Sequence, residues 1–149
     1  AEAYRGLRTQ VTFSDLDAEE RNNNRHSVLL ITSSEPSEGK SSTTANLAIT
    51  MAQSGQKTLV IDCDFRKPKI SGIFHLKNDQ FGFADVLMDF ESHDGVGRAI
   101  YTTDIPNLHI LPCGTVPLNP SELLSLRKTG MIIHNLQKQY NRILIDTPR

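Results

Sequence analysis

The sequence predicts one α/β domain with an open, mostly parallel sheet and helices on both of its faces. Short apolar runs without polar alternation occur at 27–32 (SVLLIT), 57–62 (KTLVID) and 142–146 (RILID), which is typical of parallel strands buried on both faces. Segments with helical spacing of apolar residues lie between these runs. Strands that alternate with helices favour a parallel sheet, and 149 residues are sized for a single core.

The N-terminal segment has a different pattern. Tyr4, Leu7, Val11 and Phe13 recur at roughly helical intervals among charged residues, which predicts an amphipathic helix over 2–13. The run DAEERNNNRH then interrupts the pattern and is typical of a solvated linker. We therefore divide the chain into an N-terminal helix with its linker over 1–24 and a core domain over 25–149.

The core elements follow in order. The turn SSEPSEGK leads into a helix, KSSTTANLAITMAQSG, which ends at Gly55, a residue suited to capping a helix C-terminus. Beyond the second strand, FADVLMDF predicts a short helix and NLHILP a third strand. The segment SELLSLRKTGMIIHNLQKQY predicts a long helix weakened near Gly130, and RILID is the fourth strand.

Composition excludes several classes of function. A net charge of -1 gives no reason to expect a nucleic-acid partner or an anionic membrane surface. Cys63 and Cys113 are too far apart in sequence to form a paired metal-ligand motif, and we expect reduced thiols. No apolar run approaches the roughly 20 residues that span a bilayer, so we expect a cytoplasmic protein.

The strand-to-helix turn at 34–41 matches a phosphate-binding loop. The Walker A pattern is Gly, four residues and then Gly-Lys-Ser/Thr, and Ser34 replaces the first glycine here. Gly39 permits the tight turn, Lys40 can reach the β and γ phosphates, and the Ser41 hydroxyl can hold Mg²⁺. This pattern predicts binding of ATP with magnesium by Ser34, Glu35, Ser37, Glu38, Gly39, Lys40, Ser41 and Ser42.

Carboxylates follow two of the predicted strands, at Asp62 and Asp64 and at Asp146. In an open parallel sheet such residues gather at the carboxyl edge, where one or two can hold magnesium and another can accept a proton. In isolation each is as readily a helix cap. Arg66 lies just beyond and either contacts phosphates or belongs to a solvated turn.

With these residues in view, the sequence resembles the bacterial protein-tyrosine kinases of capsule and exopolysaccharide systems (BY-kinases), which are P-loop NTPases. The likeness runs along essentially the whole chain through EAYRGLRT, TSSEPSEGKSSTTANLA, LVIDCDFRKP, PLNPSELL and ILIDTP. The resemblance implies that Lys40 contacts phosphates, that Ser41, Asp64 and Asp146 hold magnesium, and that Asp62 is the base for a tyrosine hydroxyl. The division of roles between Asp62 and Asp64 stays open.

The same resemblance implies partners. Glu2, Arg5 and Arg8 match a Glu-x-x-Arg-x-x-Arg contact that assembles ring-shaped homo-oligomers, although a solvent-facing set of charges has the same spacing. Related kinases are activated by a transmembrane partner of the polysaccharide co-polymerase kind, and a tyrosine phosphatase reverses their phosphorylation. We expect recruitment to the inner face of the cell membrane.

One feature departs from the family pattern. The chain ends at Arg149, directly after the Walker B strand, where the family continues with further strands and helices and a tyrosine cluster. The predicted fold is therefore truncated after that strand, and we expect kinase activity of this shortened chain to be uncertain.

Two other functions fit the motifs. A ParA or MinD-like ATPase switch shares the fold. Such switches carry a signature lysine directly after the first position of the loop, and this chain has Glu35 there instead. A non-catalytic nucleotide-binding regulator of polysaccharide assembly would keep Lys40 and the magnesium ligands without transferring phosphate to tyrosine.

Overall fold

The computed structural model describes residues 9–14, 27–33, 39–65, 67–77, 81–88, 95–115 and 126–147. Six strands form one sheet: β1 (Thr9–Ser14), β2 (Ser27–Ser33), β3 (Thr58–Asp62), β4 (Tyr101–Thr102), β5 (Leu108–Leu111) and β6 (Arg142–Asp146). The described helices are α1 (Gly39–Gln53), α2 (Ile70–Ile73), α3 (Phe83–Met88), α4 (Gly95–Ala99) and α5 (Leu126–Gln137).

The strand order across the sheet is β1-β2-β6-β3-β5-β4. The four central strands β2, β6, β3 and β5 are parallel, whereas β1 and β4 are antiparallel edge strands. All five residues of β3 are buried, as the uninterrupted apolar run predicts for a strand covered on both faces. The predicted open, mostly parallel α/β fold is confirmed.

Helices cover both faces of the sheet. One core cluster joins alternate strand residues such as Val60 and Leu144 to Ala48 and Ala52 of α1 and Ile70 of α2. The other joins the residues that point the opposite way to side chains of α3, α4 and α5. This alternation sets which strand residues face α1, and therefore which carboxylates can meet its N-terminus.

The predicted N-terminal helix over 2–13 is wrong for residues 9–13, which belong to strand β1. This strand pairs with β2 in register from Thr9 opposite Ser33 to Ser14 opposite Val28. The alternation of TQVTFS, with Val11 and Phe13 two residues apart, is a strand signal that the longer helical spacing obscured. Residues 1–8 and 15–26 lie outside the described part of the chain, so the division at residue 24 stays a prediction.

The other predicted elements are found where the structure describes them. Gly55 ends the first helix with φ of 94°, a left-handed conformation that glycine adopts without strain. The helices α3 and α5 fall within the predicted segments, although residues 121–125 lie outside the described part. The sequence did not predict α2, α4 or β4, which have only two to five residues each and owe their form to tertiary contacts.

No helix among the described residues is long and apolar enough to cross a membrane.

Candidate functional site

The candidate site lies at the carboxyl edge of β3 and β6, where the N-terminus of α1 meets the sheet. Asp62 and Asp146 end these two strands and are register partners. Both continue the alternation of Val60 and Leu144, which face α1, and the Asp146 carboxylate contacts Lys40 and Ser41 in the first turn of that helix. Two segments distant in sequence are thus brought together by the parallel register.

Lys40 is the cation at the centre of this site. Its side chain is buried, with 6% exposed, and its Nζ lies 3.0 Å from Asp146 Oδ1 and 3.7 Å from Asp64 Oδ2. The same ammonium donates a hydrogen bond to the carbonyl oxygen of Thr147. Lys40 is therefore surrounded by oxygen atoms from the ends of both strands.

Asp146 is fully buried and uses its two oxygens differently. Oδ2 accepts a hydrogen bond of 3.0 Å from the Ser41 hydroxyl. The contact of Oδ1 with Lys40 is an ion pair rather than an aligned hydrogen bond. Burial raises the pKa of Asp146 above its ordinary value, while Lys40 and the Ser41 hydrogen bond act against that shift.

Asp62 is also fully buried, but its partners are backbone N–H groups. Oδ1 accepts from the Asp64 N–H at 3.0 Å and Oδ2 from the Ile70 N–H at 3.3 Å. Burial, with the negative charge of Asp146 as the second cause, raises the pKa of Asp62 from 3.8 to about 7. A carboxylate with this pKa is suited to accept a proton at neutral pH.

Asp64 is the most accessible of the three carboxylates, with 18% of its side chain exposed. Its Oδ1 accepts a hydrogen bond of 3.3 Å from the Lys67 N–H, and its other oxygen faces Lys40. A partly exposed carboxylate beside a buried cation can be reached by a ligand from solvent. Asp62 and Asp64 thus differ in exposure and partners, the distinction that sequence alone left open.

The structure brings five of the predicted site residues together: Lys40, Ser41, Asp62, Asp64 and Asp146. Two more, Gly39 and the exposed Ser42, lie in the first turn of α1. The remaining predicted residues lie outside the described part of the chain: Ser34, Glu35, Ser37, Glu38 and Arg66 at the site, and Glu2, Arg5 and Arg8 in the proposed subunit contact.

Thr147 is a participant that sequence reasoning missed. Its N–H and its hydroxyl both donate to the Ile31 carbonyl, at 3.2 and 3.0 Å, which joins the end of β6 to β2. Its own carbonyl is thereby held toward Lys40. Because a backbone carbonyl carries no residue-type signal, only the threonine after ILID could have pointed to it.

The donor set fits magnesium bound together with phosphates. Among the described residues no group of three or more histidines, cysteines, aspartates or glutamates is arranged to hold a metal alone. Magnesium usually takes one or two carboxylates, a hydroxyl and phosphate oxygens and keeps several waters. Ser41, Asp64 and Asp146 supply oxygen ligands of those kinds, and Lys40 supplies a charge for phosphate.

Comparison with known proteins agrees with this geometry. Residues 28–149 match the AAA domain family. The tyrosine-protein kinase YwqD of Bacillus subtilis is 36% identical over 148 residues, which are 99% of this chain and 58% of YwqD. The chain therefore spans about three fifths of the length of that relative.

Two solved structures have the same fold. The VpsO kinase domain is 38% identical with a TM-score of 0.73, over 87% of this chain and 62% of that one. The septum site-determining protein MinD of Pyrococcus horikoshii, solved with Mg-ADP, is 31% identical with a TM-score of 0.64, over 76% of this chain and 45% of that one. The chain belongs to the AAA domain family of P-loop proteins and is a relative of the bacterial tyrosine-protein kinases.

Proposed function

We propose that the chain is the nucleotide-binding part of an ATP-dependent, autophosphorylating protein-tyrosine kinase that regulates capsule and exopolysaccharide polymerisation and export. The observation that carries the proposal is the buried ammonium of Lys40 among Ser41, Asp64 and Asp146, beside an Asp62 carboxyl whose pKa is about 7. The likeness to YwqD and VpsO supports the kinase class.

Each residue has a role in this proposal. Lys40, at the start of α1, binds the β and γ phosphates, and the helix N-terminus adds its partial positive charge. Ser41, Asp64 and Asp146 hold Mg²⁺, which neutralises charge that develops on the transferred phosphoryl group. Asp62 accepts the proton of the tyrosine hydroxyl, because its folded-state pKa is matched to neutral pH.

The phosphate loop itself includes Ser34, Glu35, Ser37 and Glu38 in this proposal, with Gly39 and Ser42 at its end. Arg66, which follows the end of β3 by four residues in sequence, contacts a phosphate in the same proposal. These assignments depend on the Walker A pattern and its position between β2 and α1.

The proposal extends to partners of the whole protein. Self-assembly into a ring uses Glu2, Arg5 and Arg8, a transmembrane activator recruits the protein to the inner face of the membrane, and a tyrosine phosphatase reverses the modification. The support is the likeness of the chain to the tyrosine-protein kinase YwqD and to the VpsO kinase domain.

The test is incubation with γ-labelled ATP and Mg²⁺, followed by phosphoamino-acid analysis. Label on tyrosine that is lost in Lys40→Met and retained in Lys57→Met supports the kinase. Lys57 is the matched control because it lies before β3, at the other end of the strand, and stacks over the Tyr140 ring. Tyrosine label that survives Lys40→Met would show that this loop does not bind the phosphoryl donor.

A MinD-like ATPase switch is the second candidate, favoured by the fold shared with MinD. It predicts free phosphate without labelled tyrosine in the same incubation. A non-catalytic regulator predicts bound, unconverted ATP. One incubation therefore separates the three functions by where the label ends.

A further inference from the structure

The position of Lys40 within the carboxylates suggests how nucleotide and metal depend on each other. Its Nζ has oxygen neighbours on Asp146 and Asp64 and donates to the Thr147 carbonyl. Carboxylate and carbonyl oxygens are also what a hard divalent cation requires. The ammonium and a metal ion therefore need the same oxygens.

Charge makes the competition strong. Lys40 and Asp146 are both buried, with 6% and 0% of their side chains exposed, so solvent screens their attraction weakly. Asp146 meets the Lys40 ammonium through Oδ1 and the Ser41 hydroxyl through Oδ2. A metal ion at either oxygen of Asp146 would lie close to the Lys40 ammonium, so the two cations would repel each other unless the lysine moved.

A nucleotide removes this obstacle. Its β and γ phosphates offer Lys40 an alternative anionic partner, and the N-terminus of α1, where Lys40 lies, favours bound phosphate. When the ammonium turns to the phosphates, Asp146 and Asp64 become available to the metal. Each ligand then favours the other, and such coupling is reciprocal.

We propose that Lys40 is a built-in competitor for the divalent-cation site, so that metal binds only weakly until a nucleotide draws the lysine away. This inference rests on the proposed nucleotide function and adds an order to it. It also reverses the simple expectation for a Lys40 variant, because loss of the lysine should improve metal binding in the absence of nucleotide.

The experiment is a Mn²⁺ titration followed by electron paramagnetic resonance, without nucleotide, on wild type, Lys40→Met, Lys40→Arg and Lys57→Met. We expect Lys40→Met to bind Mn²⁺ about 5- to 150-fold more tightly than wild type, the usual range for coupled sites. Lys40→Arg keeps the charge and Lys57→Met changes the net charge equally, so neither should gain affinity. A Lys40→Met protein that is folded by circular dichroism and binds Mn²⁺ no better than wild type overturns the proposal.

A second measurement includes an arm on wild type alone. A fluorescent ADP analogue should bind wild type more tightly when Mn²⁺ is present, and this gain should be reduced in Lys40→Met. Equal affinity with and without the metal contradicts the coupling but leaves nucleotide binding intact. Absence of any ADP binding by wild type contradicts the proposed function itself, so the two failures are distinguishable.

Discussion

The two ends of the parallel strands differ in whether the buried polar side chains there are charged or neutral. At the carboxyl edge, Lys40 lies among three aspartates of which two are fully buried. At the amino edge, the buried Tyr140 hydroxyl meets His109 Nδ1 at 2.8 Å, and the exposed Lys57 ammonium lies 5.0 Å from the Tyr140 ring centroid.

The difference shows where the fold accepts an electrostatic penalty. Burial raises the pKa of Asp62 and of Asp146, so their ionised forms are disfavoured in the folded chain. At the amino edge, burial and Lys57 lower the pKa of His109, which keeps the His109–Tyr140 pair neutral. The unfavourable buried carboxylates thus lie at the edge where a bound cation would compensate their negative charge.

The largest expected effect comes from removing the central cation. Lys40→Met leaves Asp146 and Asp64 without their positive partner, and breaking a buried pair costs about 3–5 kcal/mol. We expect urea unfolding to show a loss of unfolding free energy of that size at pH 8. The loss should be smaller at pH 4, because more of the aspartate carboxyl groups are protonated there. A loss independent of pH would indicate a packing defect instead.

The second effect isolates Asp62 through pH. The unfolded carboxyl ionises near 3.8 and the folded one near 7, so wild type loses stability as the pH rises between these values. Asp62→Asn has no such titration, although it can accept only one of the two backbone hydrogen bonds.

The free energy of unfolding of Asp62→Asn, relative to wild type, should therefore rise by a few kcal/mol between pH 4 and pH 7. It should not change further above pH 7. Unfolding free energies measured across that range test it. A constant difference between the two proteins would mean that Asp62 is ionised throughout.

A smaller effect is expected at the neutral pair. Tyr140→Phe removes the hydroxyl that meets His109, and a single hydrogen bond contributes about 1 kcal/mol. Urea unfolding of this variant at pH 7 and pH 8 should give similar losses of unfolding free energy, because burial and Lys57 lower the pKa of His109 below its ordinary 6.5 and the neutral form prevails there. A loss that depends strongly on pH would show that the histidine carries charge.

The smallest effect belongs to Lys57. Its cation–π contact is exposed, so Lys57→Met should cost about 0.5–1 kcal/mol and leave nucleotide and Mn²⁺ binding unchanged. The ratio of the unfolding free energies lost in Lys40→Met and in Lys57→Met is the most direct measure of the contrast between the two edges. Comparable losses for Lys40→Met and Lys57→Met would remove it.

Sequence predicted the parts of the fold that depend on local pattern. The buried runs at β2, β3, β5 and β6 and the start of α1 are local signals, and each of these elements is found in the structure. Strand β1 was missed because Tyr4, Leu7 and Val11 have helical spacing, whereas pairing with β2 is a tertiary contact. The carbonyl of Thr147 had no side-chain signal.

Sequence also placed the carboxylates at one edge, because parallel strands bring their carboxyl ends together. It could not rank Asp62 and Asp64, since their difference arises from burial and from the N–H groups of Asp64, Ile70 and Lys67. Such differences appear only once the loop after β3 has a defined path.

Strand β1 also fixes where the chain enters the domain. Because it runs antiparallel to β2 and Thr9 pairs with Ser33, its first residue lies at the edge that holds Lys40 and the aspartates. A load applied to the chain ahead of Thr9 would run through the hydrogen bonds of this strand in shear, starting at the pair of Thr9 with Ser33. A protein bound to the chain ahead of Thr9 would therefore transmit force to the edge of the sheet that holds Lys40 and the aspartates.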